Sequence, residues 1–249
     1  MYTAFAQVYD ELMAGVNYPA WADYYRQLMA RYGIREGKIC ECACGTGALT
    51  LHFYRMGFQV TGVDLSQDML FEASKKARSQ GAAIPFVKQD MRQLHLHRPM
   101  DAVLATCDGV NYLTQPGDLE AFLKAAYNAL RPGGGLFFDI STPYKLEKVL
   151  GDQFLGEDTP HITYMWQNHY SHKTHLTQMD LCFFVKQPDG SYKRLDESQV
   201  QRAFEAEEIL AALEKAGFCQ AAWFGDGHFT RPGPTEHRWH FAALKRQDI

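Results

Sequence analysis

Residues 41–47 (ECACGTG) combine an acidic side chain with two glycines at the end of a short apolar segment. Glycine lets the backbone turn tightly and approach a ligand without a Cβ in the way. Asp64 follows nineteen residues after Gly45, at the end of the next apolar segment. A carboxylate at that place can accept hydrogen bonds from ribose hydroxyls. Because Glu41 suits an ammonium group better than a phosphate, the pattern predicts a nucleoside ligand with a charged amino-acid tail.

A nicotinamide-dinucleotide site is the alternative interpretation of the glycine run. That fingerprint has a third glycine where this chain has Thr50. A pyrophosphate also prefers an open helix N-terminus, whereas acidic Glu41 precedes these glycines. The incomplete fingerprint therefore disfavours a dinucleotide oxidoreductase.

Strand and helix patterns alternate through residue 140. Apolar strands are predicted at 38–43, 58–64, 84–88, 101–106 and 135–140, and helices at 48–56, from Ser66 onward, and at 116–130. Such alternation predicts a parallel, doubly wound sheet covered by helices on both faces. The polar residues Gly45, Asp64, Asp90 and Asp108 all follow strands. They therefore meet at the carboxyl edge, where open α/β sheets bind ligands.

A different pattern begins after residue 144. Three long strands, at 161–171, 174–187 and 191–203, predict an antiparallel β insert over the ligand edge. A helix at 205–216, a strand at 218–224 and a strand at 238–245 then complete the core, and the last strand reverses direction. We therefore divide the chain into 1–144 (N-terminal helices and the first part of the core), 145–203 (insert) and 204–249 (remainder of the core).

Composition narrows the classes of protein further. The chain has 249 residues and a net charge of −4, which gives no support to a nucleic-acid surface. We expect no membrane span and a cytoplasmic location. Cys40, Cys42 and Cys44 alternate on one face of a strand, and no second pair follows at zinc-site spacing. We therefore expect reduced, packed thiols and no metal.

The ordered motifs resemble those of the class I S-adenosylmethionine-dependent methyltransferases. The stretches E-x-A-C-G-T-G, V-T-G-V-D-L-S, F-V-K-Q-D-M, DAVLATCDGVNYL and LRPGGGLFFDIS are similar to successive motifs of that family and span residues 38–141. One such motif would be weak, but five in register are specific. The resemblance implies an α/β fold, a Rossmann-like seven-stranded doubly wound sheet with an antiparallel last strand, and S-adenosyl-L-methionine as cofactor.

The resemblance also implies cofactor contacts along the carboxyl edge. Around the methionine part and the methyl-donor channel it places Glu41, Ala43, Gly45, Gly47, Thr106 and Cys107. Around the ribose and adenine it places Asp64, Leu65, Met69, Asp90 and Met91. Turn capping is the alternative for Asp64 and Asp90, and core packing for Met69.

Within the family the chain is most similar to small-molecule N-methyltransferases of the glycine and amino-sugar kind. That group implies an N-terminal lid, here with Tyr9 and Trp21 nearest the cofactor. The alternative is that these aromatic residues only pack the N-terminal helices on the core. A homodimer is kept as a hypothesis for the assembly.

The expected reaction moves a methyl group to a nitrogen or oxygen of a small molecule. Asp108 and Tyr112, after the fourth strand, are the first choices for the acceptor site, and His228 is a further catalytic candidate. Two other functions stay open at this point: methylation of RNA or protein, and a non-catalytic regulator that binds S-adenosylmethionine.

Overall fold

A computed structural model describes residues 6–247, except the side chain of Gln7; the ends of the first and last predicted units lie outside this range. The helices are α1 Ala6–Leu12, α2 Tyr18–Arg31, α3 Ala48–Arg55, α4 Gln67–Ser79, α5 Asp118–Ala129 and α6 Ala206–Lys215. The strands are β1 Lys38–Cys42, β2 Gln59–Asp64, β3 Phe86–Lys88, β4 Met100–Ala105, β5 Leu130–Ser141, β6 Phe154–Asp158, β7 Ile162–Ser171, β8 Leu176–Lys186, β9 Tyr192–Arg202, β10 Phe218–Phe224 and β11 Arg238–Lys245.

Seven strands form the main sheet, in the order β10-β11-β5-β4-β1-β2-β3. β11 runs antiparallel to both of its neighbours, β10 and β5, whereas β1 to β5 pair in parallel. This confirms the predicted Rossmann-like sheet with its reversed last strand. The reversal follows from the β10–β11 connection, which contains no crossover helix among the described residues.

Alternate residues of the central strands bury their side chains on opposite faces of the sheet. Cys40 and Cys42 of β1 join one apolar cluster with helices α5 and α6, whereas Ile39 joins the other with α2 and α3. All six cysteines are free thiols. Burial on both faces explains why these strands are apolar almost throughout.

Local signals predicted several element ends correctly. Ser66 caps α4, where its hydroxyl accepts from the Met69 N–H at 3.3 Å. Gly57 follows α3 with φ +94°, a left-handed conformation that glycine adopts without strain. The largest error lies at β5, which begins at Leu130 rather than at residue 135. Three other elements begin two residues later than predicted: β3 at Phe86, α5 at Asp118 and β8 at Leu176.

The insert is a separate sheet of four antiparallel strands, β6-β7-β8-β9. The sequence predicted three, and β6 was missed because its five residues include a glycine and two acids, which are poor strand formers. The sheet spans residues 154–202, inside the predicted 145–203 unit, and a π-helix (Lys145–Leu150) connects it to β5.

The insert packs against two different parts of the chain. One apolar cluster joins Ile162 and Phe183 of the insert to Ala6 and Val8 of α1 and to Met69 of α4. A second joins Met179 to Leu146 and Leu150 of the π-helix. No helix within residues 6–247 is both long and apolar enough to cross a membrane.

Candidate functional site

The loop after β1 adopts an uncommon backbone conformation. Ala43, Gly45 and Gly47 have φ values of +51°, +53° and +73°. A Cβ added to Gly45 would meet no atom within 4 Å, whereas one added to Gly109, after β4, would lie 2.9 Å from the Ala43 Cβ. The two loops therefore touch, and the space above Gly45 is open to a ligand.

Asp64, at the end of β2, braces this loop. One carboxylate oxygen accepts from the Gly45 N–H at 2.8 Å, and the other accepts from the Ser66 N–H at 2.8 Å. Burial raises the pKa of Asp64, and these two hydrogen bonds oppose the rise. Because a carboxylate has about four acceptor positions, Asp64 retains acceptors for other donors.

Glu41 lies behind the loop with only 1% of its surface exposed. The Thr106 hydroxyl donates to one carboxylate oxygen at 2.8 Å, and the Thr50 hydroxyl donates to the other. Burial raises the pKa of Glu41 to about 7, even though both hydroxyl groups favour the charged form. Thr50, which stands where a dinucleotide site has glycine, thus serves to hold Glu41.

The four residues predicted around the adenine and ribose, other than Asp64, lie in different environments. Asp90 caps a one-turn helix and binds Arg92 through both carboxylate oxygens at 3.0 Å, and these hydrogen bonds hold its pKa below the usual range. Met91 packs against the core. Leu65 is 59% exposed and Met69 is buried beneath α1. All four stay predictions as cofactor contacts.

Tyr9 of α1 packs against the cluster that joins α1, α4 and the insert, close to the loop after β4. Burial raises its pKa well above the usual value, and Cys107, Tyr18 and Asp108 lie near enough to add to the rise. Tyr18 was not predicted as a site residue, yet burial raises its pKa too, with Cys107, Asp10 and Glu41 contributing. Both tyrosines are therefore neutral groups in the space between the glycine loop and β4.

A charged network surrounds Asp108. Its carboxylate accepts from Arg238 of β11 at 2.9 Å and from the Gln201 side chain of β9 at 2.9 Å, while Arg238 also binds Asp139 of β5 at 2.5 Å. We call Asp108, Asp139, Gln201 and Arg238 the acceptor network. Burial, the largest single influence, raises the pKa of Asp108. The charges of Arg238 and Lys145 and the hydrogen bonds from Gln201 and Arg238 together outweigh it and lower that pKa.

Trp21 lies under this network rather than beside α1. The Arg238 guanidinium stands 4.7 Å from the centre of the Trp21 ring, a distance at which cation–π attraction acts. Trp21 and its helix α2 otherwise pack on the core. Core packing thus accounts for part of its environment, and its contact with the cofactor stays a prediction.

Tyr112 and His228 occupy different surroundings. The Tyr112 hydroxyl donates to Gln199 of β9 at 2.7 Å, beside the Gln201–Asp108 contact. The His228 ring instead contacts Glu236 at 3.2 Å and Thr230 at 2.7 Å, within the loop after β10. The structure thus brings Asp108 and Tyr112 together under the insert. The His228 ring contacts residues of its own loop, and its carbonyl accepts from the Tyr24 hydroxyl of α2 at 3.2 Å.

Several groups at this edge were missed from the sequence, namely Tyr18, Asp139, Lys145, Gln199, Gln201 and Arg238. Asp139 is an acidic residue near the carboxyl end of strand five, as Asp64 is at the end of strand two, a signal that could have identified it. Burial lowers the pKa of Lys145, whose ammonium donates to the Ser141 hydroxyl at 3.0 Å. The described residues contain no cluster of metal-ligating side chains.

The residues at the ends of β1, β2 and β4 fit a nucleoside with an amino-acid tail. The open space over Gly45, the Asp64 carboxylate and the buried Glu41 supply a close backbone approach, an acceptor for hydroxyl groups and a partner for an ammonium. The geometry fits a nucleoside-binding α/β protein, with the ligand expected at the carboxyl edge of the sheet.

Comparisons with known proteins agree with this class. The model of a family described as a methyltransferase domain matches residues 39–134. A protein of Geobacillus sp. (strain WCH70), provisionally named a methyltransferase, is 34% identical over 246 residues, with 98% of this chain and 99% of the relative covered. The dTDP-3-amino-3,4,6-trideoxy-alpha-D-glucopyranose N,N-dimethyltransferase of Streptomyces venezuelae is 27% identical over 217 residues, with 85% and 89% covered.

A solved structure extends the likeness to the whole fold. An S-adenosylmethionine-dependent methyltransferase from Clostridium acetobutylicum ATCC 824 superposes with a TM-score of 0.88 at 31% identity, covering 98% of this chain and 99% of the other. The chain therefore belongs to the S-adenosylmethionine-dependent methyltransferase family. It is an enzyme with S-adenosyl-L-methionine as its methyl donor.

Proposed function

We propose that this enzyme methylates an amine nitrogen of a small molecule bound between the end of β4 and the insert. The observation that carries the proposal is a pair of hydrogen bonds between β9 and the loop after β4: Tyr112 donates to Gln199, and Gln201 donates to Asp108. These bonds draw the insert over the place where the methyl group would be presented. Because the insert covers this place, the space for an acceptor is limited, which favours a small molecule over an RNA or a folded protein.

The preference for an amine comes from the low basicity of the Asp108 carboxylate. Arg238 forms ion pairs with both Asp108 and Asp139, and together with the nearby Lys145 charge and the Gln201 hydrogen bond it keeps the pKa of Asp108 low despite burial. A carboxylate held in this way is a weak base, so it suits an acceptor that needs no deprotonation before attack. A neutral amine already has a free lone pair, whereas a hydroxyl needs a base.

The chain's residues would act mainly by position and by exclusion of water. S-adenosylmethionine, when bound, supplies a methyl group on a positively charged sulfur that accepts the electrons of the breaking bond. Glu41 and Asp64 would hold the two ends of the donor, and Tyr9 and Cys107 would line the channel to the acceptor. Holding nucleophile, carbon and sulfur in line provides much of the acceleration. Asp108 would then orient the acceptor as a hydrogen-bond acceptor.

Likeness to the Streptomyces venezuelae enzyme supports an amino-sugar class of acceptor. The test is a transfer assay with isotope-labelled S-adenosylmethionine and matched pairs of compounds. Amino sugars, free and nucleotide-linked, are compared with the corresponding hydroxy sugars, and glycine and bulk tRNA and protein are included. We expect label in the amines only. Label in the hydroxy sugars alone, or in RNA or protein alone, would overturn the proposal.

A further inference from the structure

Three polar side chains join α1 to the core at the glycine loop. The Thr46 hydroxyl donates to the Asp10 carboxylate at 2.6 Å, and the Lys76 ammonium lies 2.6 Å from the other Asp10 oxygen. Lys76 also donates to the Thr46 hydroxyl at 3.2 Å. The three therefore form a closed ring that connects α1, the turn between Gly45 and Gly47, and α4.

The rest of α1 spans both sides of the site. Ala6 and Val8 pack on Met69 of α4 and on the insert, while Tyr9 packs against the same cluster close to Cys107 and Asp108, after β4. A helix of seven residues has little stability of its own, so tertiary contacts must hold it in place. The position of Tyr9 above the site thus depends on contacts such as those of the adjacent Asp10.

We propose that Asp10, Thr46 and Lys76 form a latch that positions α1 over the cofactor and slows product release. The proposal rests on the cofactor site proposed above, because Thr46 stands between the two glycines of that site. A ligand above Gly45 lies under the latched helix. The latch must open before S-adenosylhomocysteine, the demethylated product, can leave.

The exposure of the latch makes it weak enough to open. The side chains of Asp10 and Lys76 are 46% and 22% exposed, so water and salt screen their attraction. Partly exposed ion pairs contribute modestly, and loss of one corresponds to a change of roughly fivefold in an equilibrium or rate. A contact of this size holds the helix closed without trapping the product.

The test measures dissociation of S-adenosylhomocysteine from the full chain by stopped-flow competition, without any acceptor. We expect release to be about fivefold faster in Asp10→Asn and in Lys76→Met than in the wild type. Glu11→Gln and Lys75→Met are matched controls, because they remove the same charges from the same two helices without touching the latch. Both controls should release at the wild-type rate.

Salt dependence and charge exchange separate a latch from a general structural role. Raising sodium chloride from about 0.05 to about 0.5 M should speed release from the wild type and leave Asp10→Asn unchanged. The double variant Asp10→Lys with Lys76→Asp should release the product within about twofold of the wild type. Circular dichroism of every variant checks that the core remains folded.

Three results would overturn the latch. Equal release rates in the wild type, Asp10→Asn and Lys76→Met would reject it and leave methyl transfer intact. Faster release in the two controls to the same extent would reject it as well. A wild-type chain that bound no S-adenosylhomocysteine would reject the cofactor site and the latch together.

Discussion

The cofactor edge and the acceptor network are built in different ways. At the cofactor edge, Asp64 braces the backbone of Gly45, nineteen residues earlier, and Glu41 is held by threonine hydroxyls. In the acceptor network, charged side chains bind one another: Arg238 reaches Asp108, 130 positions away, and Gln201 reaches the same carboxylate across 93 positions. In the first arrangement, neutral backbone and hydroxyl donors hold the carboxylates, whereas the second depends on ion pairs between distant segments.

Because of this difference, substitutions in the two regions should affect different properties of the protein. A buried ion pair is costly to break because the remaining charge stays without a partner. Loss of a carboxylate at the cofactor edge instead removes hydrogen bonds to the loop and to the ligand. We therefore expect the acceptor network to control stability and the cofactor edge to control affinity.

Arg238→Met should have the largest effect of the substitutions considered, because it leaves the Asp108 and Asp139 carboxylates buried and unpaired. We expect the free energy of unfolding to fall by about 3–5 kcal/mol in urea titrations. Arg202→Met, which breaks a more exposed pair with Glu208, is the control and should lose less than about 1 kcal/mol. An equal loss of unfolding free energy in the two variants would show that the acceptor network does not control stability.

Asp64→Ala should affect affinity more than folding. It removes the acceptor of the Gly45 N–H and the predicted acceptor of the ribose hydroxyls. We expect roughly 100-fold weaker binding of S-adenosylhomocysteine by calorimetry, the equivalent of two hydrogen bonds to a charged group. Asp68→Asn, on the neighbouring helix α4, should bind as the wild type does. Unchanged affinity in Asp64→Ala would exclude Asp64 from the site.

Affinity for the product should depend on pH through Glu41. Burial raises the pKa of Glu41 to about 7, and only the carboxylate attracts the ammonium of the ligand. Between pH 6 and 8 the ionised fraction rises about tenfold, so the affinity should rise by about the same factor. Glu41→Gln should bind weakly at every pH. A profile equally steep in Glu41→Gln would rule Glu41 out as the cause.

The same carboxyl makes the unliganded protein less stable at higher pH. Its pKa in the folded chain, about 7, lies above the ordinary value of 4.5, so the folded state holds the proton more tightly. This contribution to stability is complete below about pH 4.5 and is lost as pH rises through about 7. Urea unfolding of wild type and Glu41→Gln across that range measures the loss, which the variant should lack.

Of these substitutions, Gln201→Ala should have the smallest effect, and it should change only kcat/KM for the acceptor. Loss of the Gln201 contact leaves Asp108 still held by Arg238, so we expect kcat/KM for an amine acceptor to fall about fivefold, the equivalent of one hydrogen bond. The affinity for S-adenosylhomocysteine should stay the same. An equal fall in that affinity would place Gln201 at the cofactor edge instead.

The sequence predicted most of the core because its signals are local. Ser66 and Gly57 mark helix ends through hydrogen bonds and backbone conformation within a few residues. The first strand of the insert, β6, was not predicted from the sequence, because pairing with β7 rather than its own composition makes it a strand.

By itself, the amino-acid sequence determined the class of the enzyme, the alternation of strands and helices in the core and the place of the glycine loop. Each of these depends on periodicity or on residues close together in the chain. Only the tertiary structure decided that Arg238 binds Asp108 and that Asp10 meets Lys76. Contacts between segments more than 60 positions apart leave no pattern in one sequence, because their geometry exists only after the sheet has brought the segments together.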